Sequence, residues 1–109
     1  MPETHRQRQW YAGELYHVSA LIDVAREVKT EKVDPKSIYR HFNLMGEHGD
    51  LSDFVEEMKR VLNADLKHPI LIYRGFVMDG KHRLAKALYL EKKTIDVRYL
   101  EELPSPIEE

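Results

Sequence analysis

Between Pro69 and Leu88 the chain reads PILIYRGFVMDGKHRLAKAL, and this stretch constrains the fold more than any other. Pro69 to Tyr73 has the apolar, β-branched character of a buried strand, Arg74-Gly75 that of a two-residue hairpin turn, and Phe76 to Met78 that of the partner strand. Asp79-Gly80 then breaks the strand, and Leu84, Ala85 and Leu88 recur at helical spacing. A hairpin that feeds directly into a helix predicts an α/β (α+β) domain, with a small mixed β-sheet packed against three to four helices.

The junction also carries chemistry. A helix start leaves backbone N–H groups unpaired and holds a partial positive charge, and Lys81, His82 and Arg83 add three basic side chains to that same turn. Phosphate is the natural guest of such a turn. The terminus offers an anion roughly 0.3–1 kcal/mol and each charge-assisted hydrogen bond about 1.5–3 kcal/mol. After ordering costs, a lone phosphate binds with a dissociation constant on the order of a millimolar. Useful affinity therefore needs several phosphates, a metal ion or a base pocket, and points to a nucleotide or a nucleic-acid backbone. The same residues also suit a plainer reading, in which Gly80 serves only the turn and the basic side chains are solvated.

Gly80-Lys81-His82-Arg83, with the Pro69-Ile70 strand and hairpin before it, resembles the signature of the ParB/sulfiredoxin-like superfamily. There a Gly-x-His/Arg-Arg turn opens a helix: sulfiredoxins read Gly-Cys-His-Arg and partition proteins Gly-Glu-Arg-Arg. The resemblance covers about a third of the chain and implies a ParB/sulfiredoxin-like fold with a nucleotide-phosphate site at Gly80, Lys81, His82 and Arg83. It also implies the option of nucleotide hydrolysis or phosphoryl transfer. Lys81 departs from both patterns. It replaces the reactive cysteine in a chain without Cys, which excludes sulfinic-acid repair by that route, and it replaces the partition-protein glutamate associated with cytidine-nucleotide hydrolysis.

Charge is unevenly distributed. The net value is −3 over residues 1–66, +5 over 67–100 and −4 in the tail, within a total of −2. The half that carries the turn is the basic half, so a second reading is a DNA- or RNA-backbone binder, partition-related, regulatory or nuclease-like, using Arg74, Lys86, Lys92 and Lys93 with the turn. A third is a protein-interaction module in which the pocket is structural.

The 109 residues suit one domain, and 42% apolar with 33% charged residues suits a globule. No apolar run approaches a membrane span, and no secretory signal is recognisable, so a cytoplasmic protein of prokaryotic or phage origin with no membrane partner is expected. Residues 1–13 read as a flexible arm, 14–103 as the domain and 104–109 as a frayed acidic tail.

Within the domain, 14–18 reads as a strand, and Ser19 as the cap of a helix that runs to about Lys29. Thr30 to Val33 reads as extended, and Asp34-Pro35 as the start of a short helix through His41 with Ile38 and Phe42 inward. After the Gly46 to Asp50 loop, Ser52 is the expected cap of a helix with Phe54, Val55, Met58, Val61 and Leu62 as its core stripe. Thr94 to Leu100 reads as a half-buried strand with Ile95, Val97 and Tyr99 on one face.

Other candidates are fewer. Asp79 suits either a helix cap or a catalytic and Mg²⁺-binding role alongside nucleotide phosphates, and Asp65 is the second candidate catalytic carboxylate. Lys81 suits a phosphate tether or a solvated side chain. His41, His48 and Asp50 fit no standard ligand spacing, so zinc is not expected. Trp10, Tyr11, Tyr16 and Tyr39 suit either base stacking or the core.

Overall fold

The computed structural model describes residues 7–38 and 50–108 and shows an α+β chain. Strands β1 (Arg8–Tyr11) and β2 (Glu14–His17) form an antiparallel hairpin, followed by helix α1 (Val18–Ala25), strand β3 (Glu31–Val33) and a 3-10 turn at Pro35–Ser37. Helix α2 (Leu51–Leu62), strands β4 (Ile70–Tyr73) and β5 (Phe76–Asp79), helix α3 (Lys81–Tyr89) and strand β6 (Ile95–Leu100) complete the order.

The larger sheet runs β3-β6-β4-β5. β4 and β6 lie side by side at its centre and are parallel, whereas both edge strands pair antiparallel. A parallel pair needs a crossover, and β5 with α3 supplies it. β4 is covered on both faces, which is why its residues form an unbroken apolar run. Leu71 turns with Met78 and Leu100 toward Val18, Leu21 and Ala25 of α1. Ile70, Ile72, Val77, Ile95 and Val97 turn the other way, onto Leu84 and Ala87 of α3.

The β4–β5 turn has the predicted chemistry, with Arg74 at φ 50° and Gly75 at φ 83°, the left-handed pair that matches strand twist. Met78 has no register partner, since Leu71 pairs with Asp79 and Ile72 with Val77. This bulge bends the end of β5 immediately before Gly80.

Several expectations need correction. Residues 8–11 are not a loose arm, because they pair along β2. Nor is the 104–109 tail wholly frayed: Ile107 N–H donates to the Leu15 carbonyl at 2.7 Å, just beyond Leu103, which packs against the core. Helix α1 starts at Val18 without Ser19 as its cap, since Val18 N–H finds the Gln7 carbonyl at 2.9 Å. It ends at Ala25, whose carbonyl accepts from Arg98 Nη1 at 3.1 Å. Asp34 caps as expected, accepting from Lys36 N–H at 2.9 Å, but its helix is a single 3-10 turn over Pro35–Ser37.

Helix α2 is capped by Asp50 rather than Ser52. Asp50 accepts from Asp53 N–H at 3.0 Å and Asp53 accepts from Asp50 N–H at 3.2 Å, a reciprocal box that satisfies two orphan donors. Its apolar stripe is not core, since only Val61 is half-buried and Phe54, Val55, Met58 and Leu62 are exposed. Trp10 is exposed as well, Tyr16 is buried, and Tyr11 is half-buried beside Tyr73 and Phe76. On β6, Tyr99 is exposed while Leu100 is buried, so the simple alternation ends at Val97. Tyr39, His41, Phe42, His48 and most of the Gly46 to Asp50 loop lie outside the described residues. Among the described residues, no helix is long and apolar enough to cross a membrane.

Leu84 is fully buried at the point where α3 meets the sheet. Leu84→Ala is expected to cost about 2–5 kcal/mol in denaturant unfolding, against roughly 0.5 kcal/mol or less for Leu51→Ala on the exposed stripe.

Candidate functional site at the start of helix α3

Gly80 is the N-cap of α3 and adopts φ 105°, a left-handed conformation that lets the chain turn sharply from strand into helix. A Cβ built there would come within 2.9 Å of Arg83 Nη2 and 3.0 Å of Ile70 Cγ1. Gly80 therefore serves both the turn and the close passage of the Arg83 side chain. Leu84 N–H returns to the Gly80 carbonyl at 2.9 Å, while no side chain caps the amides of the first turn. Those amides are the donors that a helix terminus offers to an anion.

The three basic residues of the turn have different fates. Arg83 folds back and donates from Nη2 to Asp79 Oδ2 at 2.8 Å, with both side chains largely buried, while its Nε is buried without a partner. His82 meets Glu57 of α2, with Nε2 2.7 Å from Oε2. The other oxygen of Glu57 accepts from Arg60. Lys81 has no side-chain partner among the described residues and is half-buried at the cleft edge.

The turn opens into a cleft of about 1060 Å³ between α1, α2 and the end of β5. Of the apolar residues beneath the cleft, Val18, Ala25, Leu71 and Met78 are buried core side chains and Ile22 is half-buried. Its walls bring Arg8, Arg60 and Arg98 to Lys81 and Arg83, against the carboxylates of Glu57, Asp65 and Asp79. Arg98 is already committed, donating from Nε to Thr30 Oγ1 at 2.9 Å as well as to Ala25.

The carboxylates are electrostatically distinct. Burial pushes the Glu57 carboxyl up, but the hydrogen bond and charge of His82, together with Arg60, outweigh it and hold Glu57 below its ordinary value. Asp65 is also lowered, first by Lys67 N–H at 3.0 Å and further by His68, Lys67 and Arg83, although it is exposed. Asp79 caps no helix amide; it is the counter-ion of Arg83. Any Mg²⁺ at Asp79 must share it with that guanidinium. Among the described residues no group of three or more His, Cys, Asp or Glu is placed to hold a metal ion by itself.

Of the residues singled out in sequence, Asp65, Asp79, Gly80, Lys81, His82 and Arg83 all line this cleft, whereas Arg74, Lys86, Lys92 and Lys93 do not. Arg74 lies over the Tyr73 ring at 5.3 Å, and Lys86 Nζ donates to the Ala64 carbonyl at 2.8 Å. Lys92 and Lys93 are exposed beyond the end of α3. Sequence reasoning missed Glu57, Arg60 and Arg8. Glu57 and Arg60 are one turn apart, on the side of α2 away from its apolar stripe, but nothing in sequence tied that side to residues 25 positions downstream. Comparison of the chain with protein-family models, curated sequences and solved structures gives no match.

Two outcomes follow from this geometry. Gly80→Ala is expected to destabilise the fold by about 1–3 kcal/mol through its left-handed φ, and to displace Arg83 from Asp79, both visible by thermal unfolding and NMR. Because the folded-state pKa of Glu57 is depressed, its contribution is complete above the ordinary value of 4.5 and is lost as pH falls through the lower folded value. Glu57→Gln should therefore lower stability by about 1–3 kcal/mol at neutral pH and flatten the acid limb of the stability profile.

Proposed function

We propose that the cleft at the start of α3 binds a nucleotide, with its phosphates on the first-turn amides and Lys81. The observation that carries this reading is the juxtaposition of an uncapped helix start with a wide cleft in which basic side chains outnumber the carboxylates. Free first-turn amides beside basic side chains suit phosphate, and a cleft of about 1060 Å³ has room for the rest of a nucleotide. The resemblance of Gly80-Lys81-His82-Arg83 to the ParB/sulfiredoxin-like turn supports the same assignment. Arg83, paired with Asp79, acts mainly by fixing the turn, and His82 is oriented by Glu57.

Turnover is a separate matter, and the arrangement supplies two partly committed carboxylates for it. Asp79 is held by Arg83 and Asp65 by Lys67 N–H. Mg²⁺ would enter on the nucleotide phosphates, with Asp79 as the carboxylate to share it. The nucleic-acid reading has weaker support, because Arg74 and Lys86 are occupied elsewhere and lie outside the cleft.

Calorimetric titration of ATP, ADP, CTP and GTP, with and without Mg²⁺, tests the proposal. Lys81→Ala is expected to weaken binding about tenfold, the loss of one charge-assisted bond, without changing the melting temperature. Arg83→Ala is expected to lose both binding and stability. Absence of saturable binding to the folded wild-type chain would overturn the assignment. Binding of single-stranded DNA that collapses over several decades between low and moderate salt, with no nucleotide preference, would favour the backbone-binding alternative instead.

A further inference from the structure

Glu57 of α2 and His82 of α3 meet in the cleft wall, with Oε2 2.7 Å from Nε2. Their side chains are 15% and 28% exposed, shielded from bulk water yet open to the cleft. Despite its burial, the Glu57 carboxyl is held below its ordinary value by His82 and Arg60, so it is ionised at neutral pH. A carboxylate has no proton to give, and Nε2 must therefore be the donor of this bond. The pairing settles the tautomer: in the neutral ring the lone pair lies on Nδ1. Among the described residues Nδ1 has no hydrogen-bond partner.

His82 is the second residue of α3, so its own amide belongs to the uncapped first turn. By covalent geometry Nδ1 is the ring nitrogen nearer that backbone, whereas Nε2 reaches away to α2. A free imidazole lone pair beside donors suited to phosphate, with a carboxylate orienting the far nitrogen, is the arrangement of a general base. The carboxylates of the turn suit that task less, because Asp79 is bonded to Arg83 and Asp65 to Lys67 N–H. The charged groups around the imidazole are Glu57 and Arg60 from α2, Lys81 and the Arg83 and Asp79 pair from the turn, and Asp65 from the segment before β4.

We propose that His82 is the general base of a nucleoside triphosphate hydrolase site and that Glu57 is its positioning residue. This rests on the nucleotide reading of the same cleft. The terminal phosphate sits on the first-turn amides and Lys81, with a water between its phosphorus and Nδ1. The water gives a proton to Nδ1 as its oxygen bonds to phosphorus. The bond from that phosphorus to the bridging oxygen breaks, and its electron pair leaves on the nucleoside diphosphate. Nδ1 then returns the proton to solvent, so the products are a nucleoside diphosphate and inorganic phosphate. Glu57 stabilises the imidazolium formed in between and keeps the lone pair on Nδ1. Base assistance of this kind contributes roughly 10²–10⁴-fold in rate.

Release of inorganic phosphate from ATP, CTP and GTP with Mg²⁺, measured beside calorimetric binding of the same nucleotides to the full chain, tests this. The wild type is expected to hydrolyse at least one of them, with kcat rising with pH to a plateau as the imidazole loses its proton. His82→Gln should lower kcat about 10²- to 10⁴-fold and abolish that rise while saturable binding persists. Added imidazole should restore part of the turnover of His82→Ala. Glu57→Gln should also lower kcat steeply, because an amide can donate to Nε2 and move the ring proton to Nδ1, whereas Glu57→Asp keeps the charge and should recover part of the rate. Saturable binding to the wild type without phosphate release above a protein-free control overturns the proposal and leaves the binding reading intact. Turnover that keeps its pH dependence in His82→Gln overturns it too, by making the pair a structural tie between α2 and α3. Absence of nucleotide binding to the folded wild type removes both readings.

Discussion

The parallel pairing of β4 with β6 is the constraint on which the rest of the molecule depends. Parallel neighbours cannot be joined by a tight turn, so the chain must leave β4, cross one face of the sheet and return. β5 and α3 make that passage, and burial of Leu84 and Ala87 against Ile70, Ile72 and Val97 holds α3 in place. Gly80 sits where the passage bends from strand to helix, beside the first residue of β4. The orientation of the first-turn amides is thus set by the core rather than by a loop, which gives a helix-terminus site its rigidity.

Electrostatic compensation is the second theme. Three carboxylates from three segments answer the basic residues around the turn: Asp79 holds Arg83, Glu57 holds His82 and Arg60, and Asp65 lies within the field of Arg83. Largely buried charges need such partners, because an unpaired one costs several kcal/mol by the usual estimates. For the proposed ligand the consequence is a turn already fixed in place, with Lys81 and the backbone amides as the least committed donors. Arg83 and His82 shape the site more than they complete it.

Much of this was legible in the residues. The Arg74-Gly75 turn, the β4–β5 hairpin and the start of α3 follow from short-range rules, since left-handed turn residues, strand breakers and helical spacing act over a few positions. Caps were less legible. Ser19 and Ser52 are good capping residues, but Val18 N–H found a distant carbonyl, and Asp50 with Asp53 formed a reciprocal pair that outcompetes a single hydroxyl. The apolar stripe of α2 predicted a core face, whereas only Val61 of that stripe is half-buried and the helix meets the body along the edge that carries Val61 and Glu57. Amphipathicity reports that a face seeks cover and does not say whether the same chain supplies it.

The sequence by itself determined the local elements, the mixed α+β class and the identity of the basic turn, because propensities, turn conformations and apolar periodicity are properties of neighbouring residues. Only the tertiary structure decided which strands are parallel, that residues 8–11 join the fold, and that Glu57, Arg60 and Arg8 share a cleft with Gly80 to Arg83. It also decided that His82 and Arg83 arrive already paired. Such facts depend on contacts between segments far apart in sequence, and those contacts are selected by the joint burial of two sheet faces, a condition that no single segment carries.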